Sequence, residues 1–168
     1  MRVDFKVEKC QTHSDKKIFG LCDDPPPAKN PAYIDETNGA KWIAVVENED
    51  RYAATFTAID NCIELKREDT TMDKRCDGML TYNSTLIFVE LKARGALGSA
   101  WVKDAEKQLR ASISYFEATA EAEDYIGKKA YIANSEHPKF KESQARRMEQ
   151  FLTDTGYVLR IVNRITLQ

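Results

Sequence analysis

The stretch KRCDGMLTYNSTLIFVELKARG, residues 74–95, decides the fold. Leu86 to Val89 are apolar without a break, which marks a strand covered on both faces, since a strand with one wet face alternates. Arg75 to Lys92 reads as two strands joined at Asn83-Ser84. With a two-residue turn, Tyr82 pairs with Thr85, and counting back along both strands sets Asp77 opposite Glu90. Cross-strand neighbours have Cβ atoms about 4.5–5.5 Å apart. Two carboxylates that close repel unless a proton or a cation lies between them. Side chains alternate along a strand, so Glu90 and Lys92 share a face and Leu91 points away. A glutamate and a lysine at the end of a doubly covered strand are out of place as packing and need a partner or a metal. The plainer alternative is a structural ion-pair network at the strand end.

Downstream, Trp101 to about Ala120 is expected to be helical. Trp101, Ala105, Leu109, Ile113 and Phe116 recur at helical spacing and form its core stripe. Lys129 to Ala133 reads as a short strand, Phe140 to Thr155 as a second helix stopped at Gly156, and Tyr157 to Leu167 as a closing strand. Upstream, Glu68 to Lys74 is a loop, and Asp60 to Lys66 extends or follows the sheet. Trp42–Val46 and Tyr52–Ile59 flank a polar run and read as a hairpin. Residues 23–39 hold four of the five prolines and form an irregular excursion. Val3, Phe5 and Val7 alternate with charged residues and suggest a strand. The order strands, helix, strand, helix, strand predicts one α/β domain with a central mixed sheet flanked by helices. Its core spans about residues 60–168, with an N-terminal β extension over about 1–59.

Composition fits such a domain: 168 residues, 42% hydrophobic and 31% charged, net charge −2. There is no overall basic field, so nucleic-acid binding would need a local basic face. The first ten residues lack the apolar run of a signal peptide, and no stretch is long enough to cross a bilayer, which points to a cytoplasmic protein. Cys10, Cys22, Cys62 and Cys76 show no CxxC spacing and are expected as four thiols, some of them buried. His13 and His137 stand apart from one another and from the cysteines.

Residues 75–134 resemble the PD-(D/E)xK phosphodiesterase superfamily, the restriction endonuclease-like fold. Asp77 matches its first acidic position and Glu90-Leu91-Lys92 its (D/E)xK tripeptide. Gln108 matches the polar residue on the helix that follows. The resemblance implies a nuclease in which Asp77, Glu90 and the Leu91 carbonyl bind Mg²⁺ or Mn²⁺. Lys92 would orient or activate the attacking water, and Gln108 would touch the site, joined by Tyr115. Cys76 stands where the family commonly has proline. Glu36 and Glu64 are the candidates for a glutamate that many members supply from an N-terminal helix. The implied partner is nucleic acid, DNA before RNA, with a homodimer where both strands are cut. The rival expectation is a non-catalytic, protein-binding use of the scaffold, such as an immunity protein. Lys103, Lys107, Arg110, Arg146, Arg147, Arg160 and Arg164 are candidate phosphate contacts. Arg94, Gly95 and Gly98 form a loop placed to admit a backbone.

Overall fold

The computed structural model describes residues 3–92, 100–135 and 144–168. Its strands are β1 (Gln11–Ser14), β2 (Ile18–Cys22), β3 (Tyr33–Asp35), β4 (Ala44–Glu47) and β5 (Ala54–Ala58). They continue with β6 (Gly78–Tyr82), β7 (Thr85–Lys92), β8 (Gly127–Asn134), β9 (Val158–Arg160) and β10 (Arg164–Thr166). The helices are α1 (Ala100–Glu117) and α2 (Ala145–Thr155).

Six strands form one sheet in the order β1-β5-β6-β7-β8-β9. Pairing is antiparallel from β1 to β7 and parallel from β7 to β9. The two parallel steps are made through α1 and α2, because parallel neighbours need a crossover. The other strands form a sheet ordered β10-β4-β2-β3. One apolar cluster joins Leu86 and Phe88 of β7 to Leu109, Ile113 and Phe116 of α1 and Phe151 of α2. A second joins Ile87, Val89 and Leu91 to Phe19, Leu21, Val46 and Ile165 of the smaller sheet. The result is a three-layer α/β domain: helices, six-stranded mixed sheet, four-stranded sheet. Strand β7 lies in the middle layer, which is why its run of apolar residues does not alternate.

The hairpin register is as the sequence indicates: Tyr82 pairs with Thr85 and Gly78 with Val89. Asn83 takes the left-handed turn conformation with φ 49°, which asparagine tolerates. Gly156 ends α2 with φ 79°. Helix α2 begins at Ala145 among the described residues; the expected start at Phe140 lies outside them. So do Arg94, Gly95, Gly98 and His137.

Four expectations are corrected. Val3, Phe5 and Val7 form no strand; Phe5 is buried and the other two pack on the helix-side core, leading into a short 3-10 helix at Glu8–Cys10. Their alternation serves packing without a neighbouring strand. β4 and β5 exist but are not a hairpin, since β4 pairs with β2 and β10, and β5 with β1 and β6. Between them buried Asn48 turns the chain from one sheet to the other, donating to the Tyr52 carbonyl and accepting its amide, both at 2.9 Å. Tyr157 to Leu167 is two strands, one in each sheet, so Arg160 and Arg164 do not share a face. Finally, Cys10 and Cys62 form a disulfide across 52 residues, while Cys22 and Cys76 are free and buried. Only the tertiary fold brings the two together. No described helix is long and apolar enough to cross a membrane.

Candidate active site

The β5–β6 ladder runs on past both strands: the Ile59 amide donates to the Asp77 carbonyl at 2.9 Å and the Asp60 amide to the Cys76 carbonyl at 3.1 Å. Asp77 is thereby held in extended backbone one residue before β6, next in register to Gly78–Val89, and so opposite Glu90. The two residues are laced together. The Asp77 amide donates to Glu90 Oε1 at 3.1 Å, and the Leu91 amide donates to Asp77 Oδ2 at 2.7 Å. Asp77 is 7% and Glu90 3% exposed. Lys92, on the same face as Glu90, places Nζ 3.2 Å from Glu90 Oε2.

Burial, and then the charge of Glu90, hold the Asp77 carboxyl well above the usual carboxylate range. Burial also raises Glu90, opposed by the Lys92 ammonium. The physical cause is the same for both. A low-dielectric setting disfavours the charged form, and one lysine compensates only one of the two acids.

A third acid meets this pair. Asp23, the residue after β2 of the smaller sheet, feels the charge of the Asp77 carboxyl. Burial, followed by the charge of Asp77, pushes Asp23 up to about 7. Sequence reasoning missed it, because Asp23 heads the proline-rich excursion and nothing local marks where that excursion lands. Asp60, whose charge also bears on Asp23 and Asp77, is paired with Arg75 at 3.2 Å.

Helix α1 grips the backbone leading into Asp77. Gln108 Nε2 donates to the Arg75 carbonyl at 3.4 Å, and Ser112 Oγ accepts the Cys76 amide at 2.9 Å. These residues stand one helical turn apart, so they share a face. Gln108 therefore supports the strand that carries Asp77, and its Oε1 is buried without a hydrogen-bond partner among the described residues. Ser112 is wholly buried and was absent from the sequence expectations; serine in an apolar stripe is its only local signal. Tyr115 hydrogen-bonds Asp73 at 2.9 Å.

Glu36 accepts from Ser14 and Glu64 pairs with Lys66; both are exposed. Of the basic candidates, Arg110 binds Glu106 and Asp154, Arg147 binds Glu106, and Arg164 binds Glu47. Lys103, Lys107, Arg146 and Arg160 are solvent-facing or partly so, away from any ion pair described.

The chain matches no family model, no curated protein and no solved structure.

Proposed function

We propose that the protein is a metal-dependent phosphodiesterase of the restriction endonuclease-like kind, acting on the backbone of nucleic acid, DNA before RNA. The observation that carries the reading is the buried Asp77–Glu90 pair with Lys92 at 3.2 Å. Acids brought this close in a dry setting hold either a proton or a cation between them.

Among the described residues, no group of three or more His, Cys, Asp or Glu is arranged to hold a metal ion. The donor chemistry nevertheless fits a hard divalent ion, because every candidate donor is an oxygen. Asp77 Oδ2 and Glu90 Oε1 take backbone amides. Asp77 Oδ1, Glu90 Oε2 and the Leu91 carbonyl would hold Mg²⁺ or Mn²⁺, with Asp23 beside them. Such an ion, when bound, polarises the scissile phosphate and lowers the pKa of its water. The remaining work falls to the chain itself. Lys92 favours the ionised form of Glu90 and would offer its ammonium to orient the attacking water. The amides of Asp77 and Leu91 fix the two carboxylates, and Gln108 and Ser112 fix the backbone before Asp77.

The test is cleavage of duplex DNA with and without Mg²⁺ by the wild type and by Asp77→Ala, Glu90→Ala and Lys92→Ala. Each variant should lose cleavage while keeping its fold, and full activity in Glu90→Ala would end the mechanism. Cutting both strands in one encounter would call for a second copy of the chain. A cytoplasmic setting, as expected from the sequence, would hold Cys10 and Cys62 as neighbouring thiols.

A second reading is a protein-binding module without catalysis, for example an immunity protein. It is favoured by the two backbone amides that each satisfy a carboxylate oxygen, an arrangement that also suits a purely structural acid pair. A calorimetric titration with Mn²⁺ separates the two. Heat that disappears in Asp77→Ala supports the enzyme, and no heat in the wild type supports the module.

A further inference from the structure

Helix α1 packs on β7 and β8, and α2 on β9, so the helices cover one half of the six-stranded sheet. Over the other half, β1, β5 and β6 form the floor of a recess of about 530 Å³. That volume lies in the range of small-molecule sites, about 300–1,000 Å³. None of Asp77, Glu90 and Lys92 lines it.

The floor is a row of hydrogen-bonding side chains from neighbouring strands: Gln11, His13, Thr55, Thr57 and Thr81. His13 Nδ1 lies 3.0 Å from Thr55 Oγ1, and Gln11 Nε2 donates to Thr57 Oγ1 at 3.4 Å. Thr81 Oγ1 donates to the Thr55 carbonyl at 3.4 Å. A hydroxyl has one donor and two acceptor positions, so these contacts use only part of the floor's hydrogen-bonding capacity. Phe5, Lys6 and Glu8 of the N-terminal segment, with Glu121 and Tyr125, complete the lining.

The walls are built before any ligand arrives. Phe5 stacks edge-on against Phe116 with centroids 5.3 Å apart, and Tyr125 tilts against the same ring at 6.1 Å. The Cys10–Cys62 disulfide pins the end of the N-terminal segment. A preformed cavity spares a ligand the entropy of ordering its site.

Charge narrows the ligand class. Lys6 is the one lysine or arginine among the lining residues, against the two carboxylates Glu8 and Glu121. A phosphate or other anion would meet net repulsion. A neutral molecule would keep the advantage of the hydroxyl, amide and imidazole groups. Phe5 and Met79 are almost wholly buried, which leaves the half-buried Tyr125 ring as the aromatic surface of the recess. Alternating hydroxyl and C–H surface is what a pyranose ring presents. We propose that this recess binds a neutral saccharide unit.

The test is an amide NMR titration of the full, isotope-labelled chain, with D-glucose and N-acetyl-D-glucosamine as probes and inorganic phosphate and adenosine as comparisons. A saccharide should move the amides of Thr55, Thr57, Thr81 and Tyr125 at millimolar concentration. Thr55→Val and Glu121→Gln, both of near-native volume, should each weaken that response about fivefold, as loss of one hydrogen bond does. Their spectra elsewhere should match the wild type, which guards against misfolding. The proposal is overturned if neither sugar moves these amides. It is equally overturned if phosphate or adenosine moves them at lower concentration, or if both variants respond like the wild type.

Discussion

Asp23 follows β2 of the smaller sheet and Asp77 precedes β6 of the larger one, yet the charge of Asp77 bears on the Asp23 carboxyl. Contact between the two layers at this point brings a third acid to the pair formed by Asp77 and Glu90, and stability should report it. An acid whose pKa rises on folding binds its proton more tightly in the folded state. Its contribution is complete below the ordinary value of 3.8 and is lost as pH rises through about 7 for Asp23. Asp77 and Glu90 shift in the same direction. The urea midpoint should therefore fall between pH 5 and pH 8, and Asp23→Asn should flatten the curve. A wild-type midpoint that holds level over this interval would show that the acids ionise without cost. Added Mn²⁺ should restore the midpoint at pH 8 more than at pH 5.

Asp77→Asn should separate stability from activity. The amide oxygen can still accept from Leu91, and the NH₂ group can donate to Glu90, so one buried charge disappears with its contacts kept. At pH 8 the variant should gain on the order of 1 kcal/mol or more of stability and lose Mg²⁺-dependent cleavage. Loss of stability in a urea titration would mean that the Asp77 charge is already compensated.

Lys92→Met retains the aliphatic stem and removes the ammonium 3.2 Å from Glu90. Under the proposed mechanism the rate should drop by about 10²–10⁴-fold, the range for a positioned proton-transfer or orienting group. Single-turnover cleavage measures this directly. A drop confined to substrate affinity would reassign Lys92 to phosphate binding.

Ser112→Ala leaves the buried Cys76 amide without its acceptor at 2.9 Å. An orphaned buried donor costs about 1–3 kcal/mol. Chemical denaturation should show that loss, and hydrogen exchange should quicken at Cys76. Unchanged exchange there would show that another group takes over as acceptor.

Reducing the Cys10–Cys62 disulfide, or replacing both residues with serine, should lower stability by about 2–4 kcal/mol. Denaturation with and without reductant checks it, with the double serine variant as a control for reductant effects elsewhere. Equal midpoints would show that packing alone holds the N-terminal segment in place.

What was legible in the sequence was local. A two-residue turn fixes its own register, so Asn83-Ser84 is enough to set Asp77 against Glu90, and period-two alternation is enough to put Lys92 beside Glu90. The stripe from Ala105 to Phe116 likewise announces α1. What stayed hidden was long-range. Alternation says that a strand has two faces and does not name its neighbours, so β4 and β5 looked like partners although they lie in different sheets. Asp23 reaches Asp77 only because β2 ends where the two sheets meet, and the Cys10–Cys62 bond closes a loop whose length leaves no trace in spacing. Ser112 looked like a polar interruption of a helix; it is the acceptor that the strand end requires.

β9 edges the larger sheet and β10, four residues later, edges the smaller one. Val45 of β4 finds its neighbour Arg164 more than two-thirds of the chain away. On the ribosome, the larger sheet cannot be completed until synthesis has passed residue 160, nor the smaller one until it has passed residue 166. The nascent chain must meanwhile carry β4 and β8 with bare edges, a state in which a chaperone or a neighbouring chain competes for them.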